Sequence, residues 1–342
     1  MMERRPLRRL QPVAPAGIGV AASRAILAKF PKTRILVVGD LMLDEFVWGT
    51  VDRISPEAPV PVVWVTSESF MPGGASNVAN NLRAMGGRVM VAGVIGSDGR
   101  GRMLLEELRN RGIDTAAVVV DAGRPTTLKT RVVAHHQQVV RIDRERTSPI
   151  ERGVLDRLLE AVARAVRRAD AVIIEDYGKG VIGPTLIQEL LMLTKRRKCL
   201  VTVDPKEDHI MYYRGVTAIT PNLREAQTAS GLPACNEAEL RRVGQTLLDR
   251  LACEMVLVTR GEEGMSLFER DGRQTNIPTM AQEVFDVSGA GDTVISTFTM
   301  ALAVGANPVA AARLANCAAG VVVGKVGVAT ATPEEMLRRL RQ

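Results

Sequence analysis

Aromatic side chains make up only 3% of this 342-residue chain, histidine occurs three times, and four cysteines stand singly at 199, 235, 253 and 317. With no CxxC pair and no histidine at ligand spacing, those positions argue against a zinc site and a disulfide framework. They point to a reducing compartment, the cytoplasm. No stretch approaches 18 consecutive apolar residues, so no membrane-spanning helix is expected. The opening MMERRPLRRLQPVAPAGIG is Arg-rich but lacks the apolar region of a secretory signal. A transit peptide would share its composition; the simpler expectation is a basic, solvated and poorly ordered extension over residues 1–33.

Basic excess over a folded face is also missing. The net charge is +7, yet residues 1–34 hold Arg4, Arg5, Arg8, Arg9, Arg24, Lys29, Lys32 and Arg34 against Glu3 alone, leaving the rest with equal numbers of each sign. A nucleic-acid binder should spread its basic side chains over one surface, often among stacking aromatics. No nucleic-acid partner is expected.

What the chain does have is 46% hydrophobic and 24% charged residues, enough apolar material for a sizeable core. From Arg34, β-branched apolar runs (34–40, 88–96, 169–176, 199–204, 254–260) alternate with amphipathic helical stretches (77–86, 101–112, 151–170, 236–252). This predicts an α/β fold with a mostly parallel central sheet flanked by helices. Residues 45–68 and 126–143 break the rhythm by alternating apolar and polar side chains, and are predicted to pack together as a small β-sheet lid or dimer contact.

Chemistry concentrates in DVSGAGDTVISTFTMAL, 286–302. Gly289, Ala290 and Gly291 separate a strand-like EVFDV (283–287) from an apolar helical run, so backbone N–H groups at a helix start can cradle an anion. Asp292 in that first turn either takes the proton of an attacking hydroxyl or merely caps the helix. In MPGGASNVANNLRAMGG, Gly73 and Gly74 precede a helix whose first turn carries Asn77; short amides there bind sugar hydroxyls or cap the helix. Asp40 and Asp44 lie at and beyond the carboxyl end of the first strand, where open α/β sheets bind ligands; as turn residues they need no ligand. GVVVGKVG (320–327) has the wrong spacing for a Walker A loop, and GSDGRG (96–101) reverses the dinucleotide fingerprint.

Together, GGASNVANNLRAMGGRVMVAGVIGSDGRG and DVSGAGD resemble the two motifs of the ribokinase-like (PfkB) carbohydrate kinases, from about Arg34 to Thr332, and TPNLREA (220–226), DPK (204–206) and TRGEEGM (259–265) fall in the family's order. Within it, GDLMLDEFVWG, RISPEAPVPV, EDYGKGV and VVVGKVGVAT are similar to the heptose 7-phosphate kinases of lipopolysaccharide precursor synthesis. The resemblance implies a kinase domain over 34–342. Its cofactors would be ATP and Mg²⁺, and its substrate a sugar phosphate. Another sugar or nucleoside on the same fold is the alternative acceptor.

The same resemblance makes Asp292 the base and Gly289, Ala290 and Gly291 the anion hole. It gives sugar contacts to Asp40, Gly73, Gly74 and Asn77, metal and phosphate contacts, through water, to Asn222 and Glu225, and the nucleotide pocket to Thr259, Gly261, Gly264 and Asn316. A 7-phosphate calls for cations at the far end of the sugar pocket: Lys179, or Lys129, Arg131 and Arg141 from the lid. Asp44 and Glu175 are further candidates for the sugar, with metal support or structural pairing open for Glu175 and Asp176. Of His135 and His136 in the lid, at most one should face the site. Some relatives carry a nucleotidyltransferase domain marked by HxGH; this chain ends at Gln342 without it, so a separate protein is expected for that step. A homodimer through the lid sheets is expected.

Overall fold

A computed structural model describes residues 19–135, 137–281, 284–325 and 327–341. In chain order, α1 (Val20–Leu27) and β1 (Arg34–Gly39) lead into a long hairpin, β2 (Leu41–Ile54) and β3 (Pro61–Gly74). Then come α2 (Ala75–Ala84), β4 (Arg88–Gly96), α3 (Gly99–Asn110), β5 (Asp114–Asp121) and a second hairpin, β6 (Thr127–Ala134) and β7 (Gln137–Arg144). The middle of the chain gives α4 (Arg152–Val166), β8 (Ala171–Glu175), α5 (Pro184–Arg197), β9 (Leu200–Asp204), β10 (Ala218–Ile219), α6 (Leu223–Ser230) and α7 (Glu237–Leu251). The last elements are β11 (Met255–Thr259), β12 (Met265–Glu269), β13 (Gln274–Ile277), α8 (Ala290–Ala303), α9 (Pro308–Val322) and α10 (Pro333–Arg339).

Nine strands form one sheet in the order β13-β12-β11-β10-β9-β8-β1-β4-β5, parallel except for β12 and β13 at one edge. Strands covered on both faces must be apolar at successive positions, which is why RILVV and AVIIE read as unbroken runs. Ile35, Val37 and Ile173 pack into one core with α2, α8 and α9, while Leu36, Val38 and Ile174 pack into the other with α4, α5 and α7. Each fully buried aliphatic side chain contributes about 1.5–3 kcal/mol.

The irregular segments form a second sheet, β3-β2-β6-β7. Its hairpins are antiparallel but β2 and β6 run parallel, with Asp44 beside Lys129 and Phe46 beside Arg131. The lid strands extend beyond the expected bounds, since β2 begins two residues after β1 and β3 runs to the first residue before α2.

Three expectations change. The expected extension over 1–33 overruns into folded chain: Val20–Leu27 is helical, and Leu27 and Phe30 are buried in the core, because this stretch supplies apolar side chains against α10 despite its charge. Residues 1–18 of that extension lie outside the described residues. The strand expected at 283–287 is absent over the described 284–287: the N–H groups of Phe285 and Asp286 turn to the Val323 carbonyl, and the Asp286 carboxylate accepts the Ser288 N–H at 2.8 Å, which makes a turn. His135 sits in the β6–β7 hairpin turn with φ 48°, its ring accepting the Val51 N–H, so strand alternation does not govern it; His136 lies outside the described residues.

Candidate active site

The carboxyl ends of the parallel strands carry one polar group after another. Following the sheet from β1 across β8 and β9 to β10 and β11, these ends present Asp40, Glu175, Asp204, Asn222 and Thr259. Neighbouring strands stand about 4.8 Å apart, so these groups follow one another in a row along the sheet edge.

At the lid end a cavity of about 160 Å³ is lined by Met42, Asp44, Gly74, Asn77, Lys129, Arg131, Tyr177, Gly289, Asp292 and Val328. Asp292 stands in the first turn of α8, its Oδ2 accepting from Asn77 Nδ2 at 2.6 Å and its Oδ1 from the Tyr177 hydroxyl at 2.8 Å. Burial pushes its pKa above the usual carboxylate range, and these two donors oppose the shift. Gly289 caps α8 at φ 76°, a left-handed conformation that glycine takes at no steric cost. Ala290 departs from its expected role: its N–H is turned to the Val287 carbonyl at 3.2 Å, which leaves the amides of Gly289 and Gly291 for an anion.

Asp44 faces the cavity with Gly73 against its carboxylate, and Arg131 Nη1 lies 2.6 Å from its Oδ1. Lys129 stands one pleat away, its Nζ 5.9 Å from the centre of the Tyr177 ring; desolvation, then the neighbouring Lys179, lowers its pKa. Two other expected cations are elsewhere. Arg141 pairs with Asp143 on the exposed β7, and Lys179 is held by Glu145 at 2.7 Å. Neither lines the cavity, because each has a local carboxylate that fixes it.

Asp40 also departs from expectation. It is 1% exposed, and its carboxylate accepts the backbone N–H groups of Tyr177, Lys179 and Val181 at 2.9, 3.1 and 3.3 Å. Its oxygens organise a loop instead of a sugar; desolvation raises its pKa to about 6. Asp176 is likewise a pairing residue, accepting from His209 Nδ1 at 2.6 Å and from the Tyr213 hydroxyl.

Glu175 is fully buried below the cavity. Among the described residues neither of its oxygens has a hydrogen-bond partner, and burial next to Asp204 raises its pKa strongly. Glu175, Asp204 and Asp292 each offer an oxygen within 4.8 Å of the others. Oxygen donors with two orphaned atoms suit a hard divalent cation such as Mg²⁺. Asn222 and Glu225 hold each other in a reciprocal capping box at the start of α6. Further along, Thr259 bridges to Asn222, Gly261 and Gly264 flank the turn after β11, and the amide of Asn316 on α9 donates to the Pro278 carbonyl at 2.7 Å.

Tyr177 was not singled out from the sequence. Its signal was its place: two residues past the carboxyl end of β8, between a buried acidic pair and Gly178.

Residues 32–335 match the family described as pfkB family carbohydrate kinase. The chain is 50% identical over 302 residues to the Bifunctional protein HldE of Geobacter metallireducens and 48% identical over 305 residues to that of Geobacter sulfurreducens, covering 88% and 89% of this chain. It spans 62% of the length of each of these relatives. Among solved structures, Arabidopsis thaliana ribokinase complexed with ribose and ATP superposes with a TM-score of 0.71 at 18% identity, covering 91% of this chain and 99% of that one. Escherichia coli phosphofructokinase-2 in complex with potassium gives 0.75 at 16% identity, covering 90% and 98%. Ribokinase-like in fold and matched over most of its length, the chain belongs to the pfkB family of carbohydrate kinases, phosphotransferases with an alcohol group as acceptor.

Proposed function

We propose that this kinase transfers the γ-phosphoryl group of ATP to the anomeric (C1) hydroxyl of D-glycero-β-D-manno-heptose 7-phosphate, giving the 1,7-bisphosphate for ADP-heptose and lipopolysaccharide core synthesis. The observation that carries the reading is the order along the sheet edge: a cavity with two cations and two buried carboxylates at the lid end, acidic groups in the middle, and the nucleotide-side turns beyond. The relatives named HldE support this assignment, and the ribokinase complexed with ribose and ATP shares the fold.

In this reading Asp292 accepts the C1 hydroxyl proton as that oxygen attacks the γ-phosphorus. The bond to the β–γ bridging oxygen breaks, and ADP departs. Such a base is worth about 10²- to 10⁴-fold. The free amides of Gly289 and Gly291 stabilise charge on the transferring group, while Asn77 and Tyr177 hold the base. Asp44, Gly73 and Gly74 contact sugar hydroxyls; Lys129 and Arg131 meet the 7-phosphate. Glu175 and Asp204 would hold Mg²⁺, with Asn222 and Glu225 reaching it or the phosphates through water. When bound, that ion neutralises charge between the β- and γ-phosphates. Thr259, Gly261, Gly264 and Asn316 face the nucleotide.

A homodimer through the lid is part of the proposal. Trp64, Val65, Val140 and Ile142 on the lid strands are all more than two-fifths exposed, apolar side chains that a second copy would cover.

The direct test is ADP release from ATP and Mg²⁺ with a panel of acceptors. Turnover with heptose 7-phosphate but not with ribose or fructose 6-phosphate is expected. Equal turnover on ribose would assign the enzyme to another sugar.

A further inference from the structure

Two donors occupy Asp292, one oxygen each. Asn77 comes from the glycine-led helix start. The other donor, Tyr177, comes from the loop after β8, and its geometry is unusually well supported from behind.

A carboxylate accepts at both oxygens through about four lone-pair directions, and torsion about its last bond is broad. One donor leaves such a group free to swing; a second donor on the opposite oxygen fixes its plane and the direction of the remaining lone pairs. The Tyr177 hydroxyl is 2.8 Å from Oδ1, and its ring lines the cavity. The loop carrying it cannot drift. Asp40 gathers three of its N–H groups, and Gly180, at φ 83°, packs so closely that a Cβ would stand 2.1 Å from the Ser148 carbonyl oxygen. Asp40 is itself fixed, its N–H donating to the Glu175 carbonyl at 3.2 Å.

We propose that Tyr177 is a positioning residue that sets the plane of the Asp292 carboxylate, and that Asp40 acts on Asp292 through the Tyr177 loop. The relay runs from a buried carboxylate at the end of β1, through backbone amides of residues 177–181, to a phenol, and then to the group facing the acceptor. It makes use of a buried acid that is absent from the lining of the cavity holding Asp292. The kinetic part rests on the proposed function above.

Tyr177→Phe removes one oxygen and keeps the ring. With ATP, Mg²⁺ and heptose 7-phosphate, kcat should fall on the order of 10- to 100-fold, the cost of a reacting group misplaced by a fraction of an ångström to one ångström. KM for both substrates should stay within about twofold, because the lost bond orients the base without holding a ligand. Asp40→Asn should lower kcat in the same selective way, and the double variant should be no worse than the poorer single one, since both act in one chain. An unchanged kcat in Tyr177→Phe, or a loss carried entirely by KM, would overturn the positioning role; multiplied losses in the double variant would overturn the relay. A crystal structure of Tyr177→Phe gives a readout independent of turnover. A rotated or split Asp292 carboxylate is expected, and one unmoved relative to the wild-type crystal would contradict the proposal. If the wild-type protein released no ADP with any sugar, the proposed function would fail, while that orientation would still decide what Tyr177 does.

Discussion

Asp292 carries two hydrogen bonds, almost no solvent and a share of the negative charge of Asp44, and these influences pull its proton affinity in opposite directions. Burial wins, because removing a carboxylate from water disfavours its charged form more than two donors restore it. A raised pKa brings the base nearer to neutral pH, where it accepts a hydroxyl proton more readily. The sign of the pH dependence follows. The active form is the ionised one, so the acid limb of a kcat/KM profile should fall as pH drops through a midpoint above the ordinary carboxylate value of about 3.9. A limb at or below that value would mean the two donors outweigh burial. Whether Asp292 served as base or cap was undecidable from GAGD alone, since either role puts an acid in the first turn. The convergence of Asn77 and Tyr177 on its carboxylate, from segments remote in sequence, supports the proposed base role.

The lid shows how an element sorts residues that look alike in the sequence. Lys129, Arg131 and Arg141 all fell in the irregular segments, yet β6 turns its 129 and 131 positions to the cavity, while β7 lies outermost and exposed with Arg141 paired to Asp143. Alternation gave the strands; it could not say which was the outer one, because that depends on the parallel pairing of β2 with β6. The functional consequence is a split among three arginine and lysine variants. Lys129→Met and Arg131→Met should raise the KM for heptose 7-phosphate by about tenfold or more, as expected for a charge-assisted bond of about 1.5–3 kcal/mol. Arg141→Met should leave it within about twofold. Steady-state kinetics on the three proteins decides this, and an effect of Arg141 equal to that of Lys129 would move the phosphate outward onto β7. Asp40 was misread for a related reason. Its position after β1 was legible, but its carboxylate is claimed by the 177–181 loop, a long-range pairing that leaves no mark on either segment.

On the scale of the whole molecule, the parallel sheet and its covering helices were legible because apolar runs buried on two faces look different from everything around them. β5, β10, β12 and β13 fell outside the expected strands; β10 has two residues and β13 four, too few to show a pattern. Net charge misled at the N-terminus, where Val20–Leu27 and Phe30 join the core although basic side chains surround them in sequence. The lid surface raises an assembly question. A Trp64→Glu, Val140→Glu double variant should convert a dimer into a monomer in light scattering, with the folded protein retained. A dimer unaffected by both charges would place the interface elsewhere.

The central claim is that the buried carboxylate of Asp292 takes the acceptor's proton, and Asp292→Asn tests it most directly. Asparagine keeps the size, the helix position and a hydrogen-bonding oxygen, but it cannot take the proton. Phosphoryl transfer from ATP to heptose 7-phosphate, followed by ³¹P NMR, should drop by about 10² or more relative to the wild-type protein. Transfer at the wild-type rate in Asp292→Asn would contradict the account.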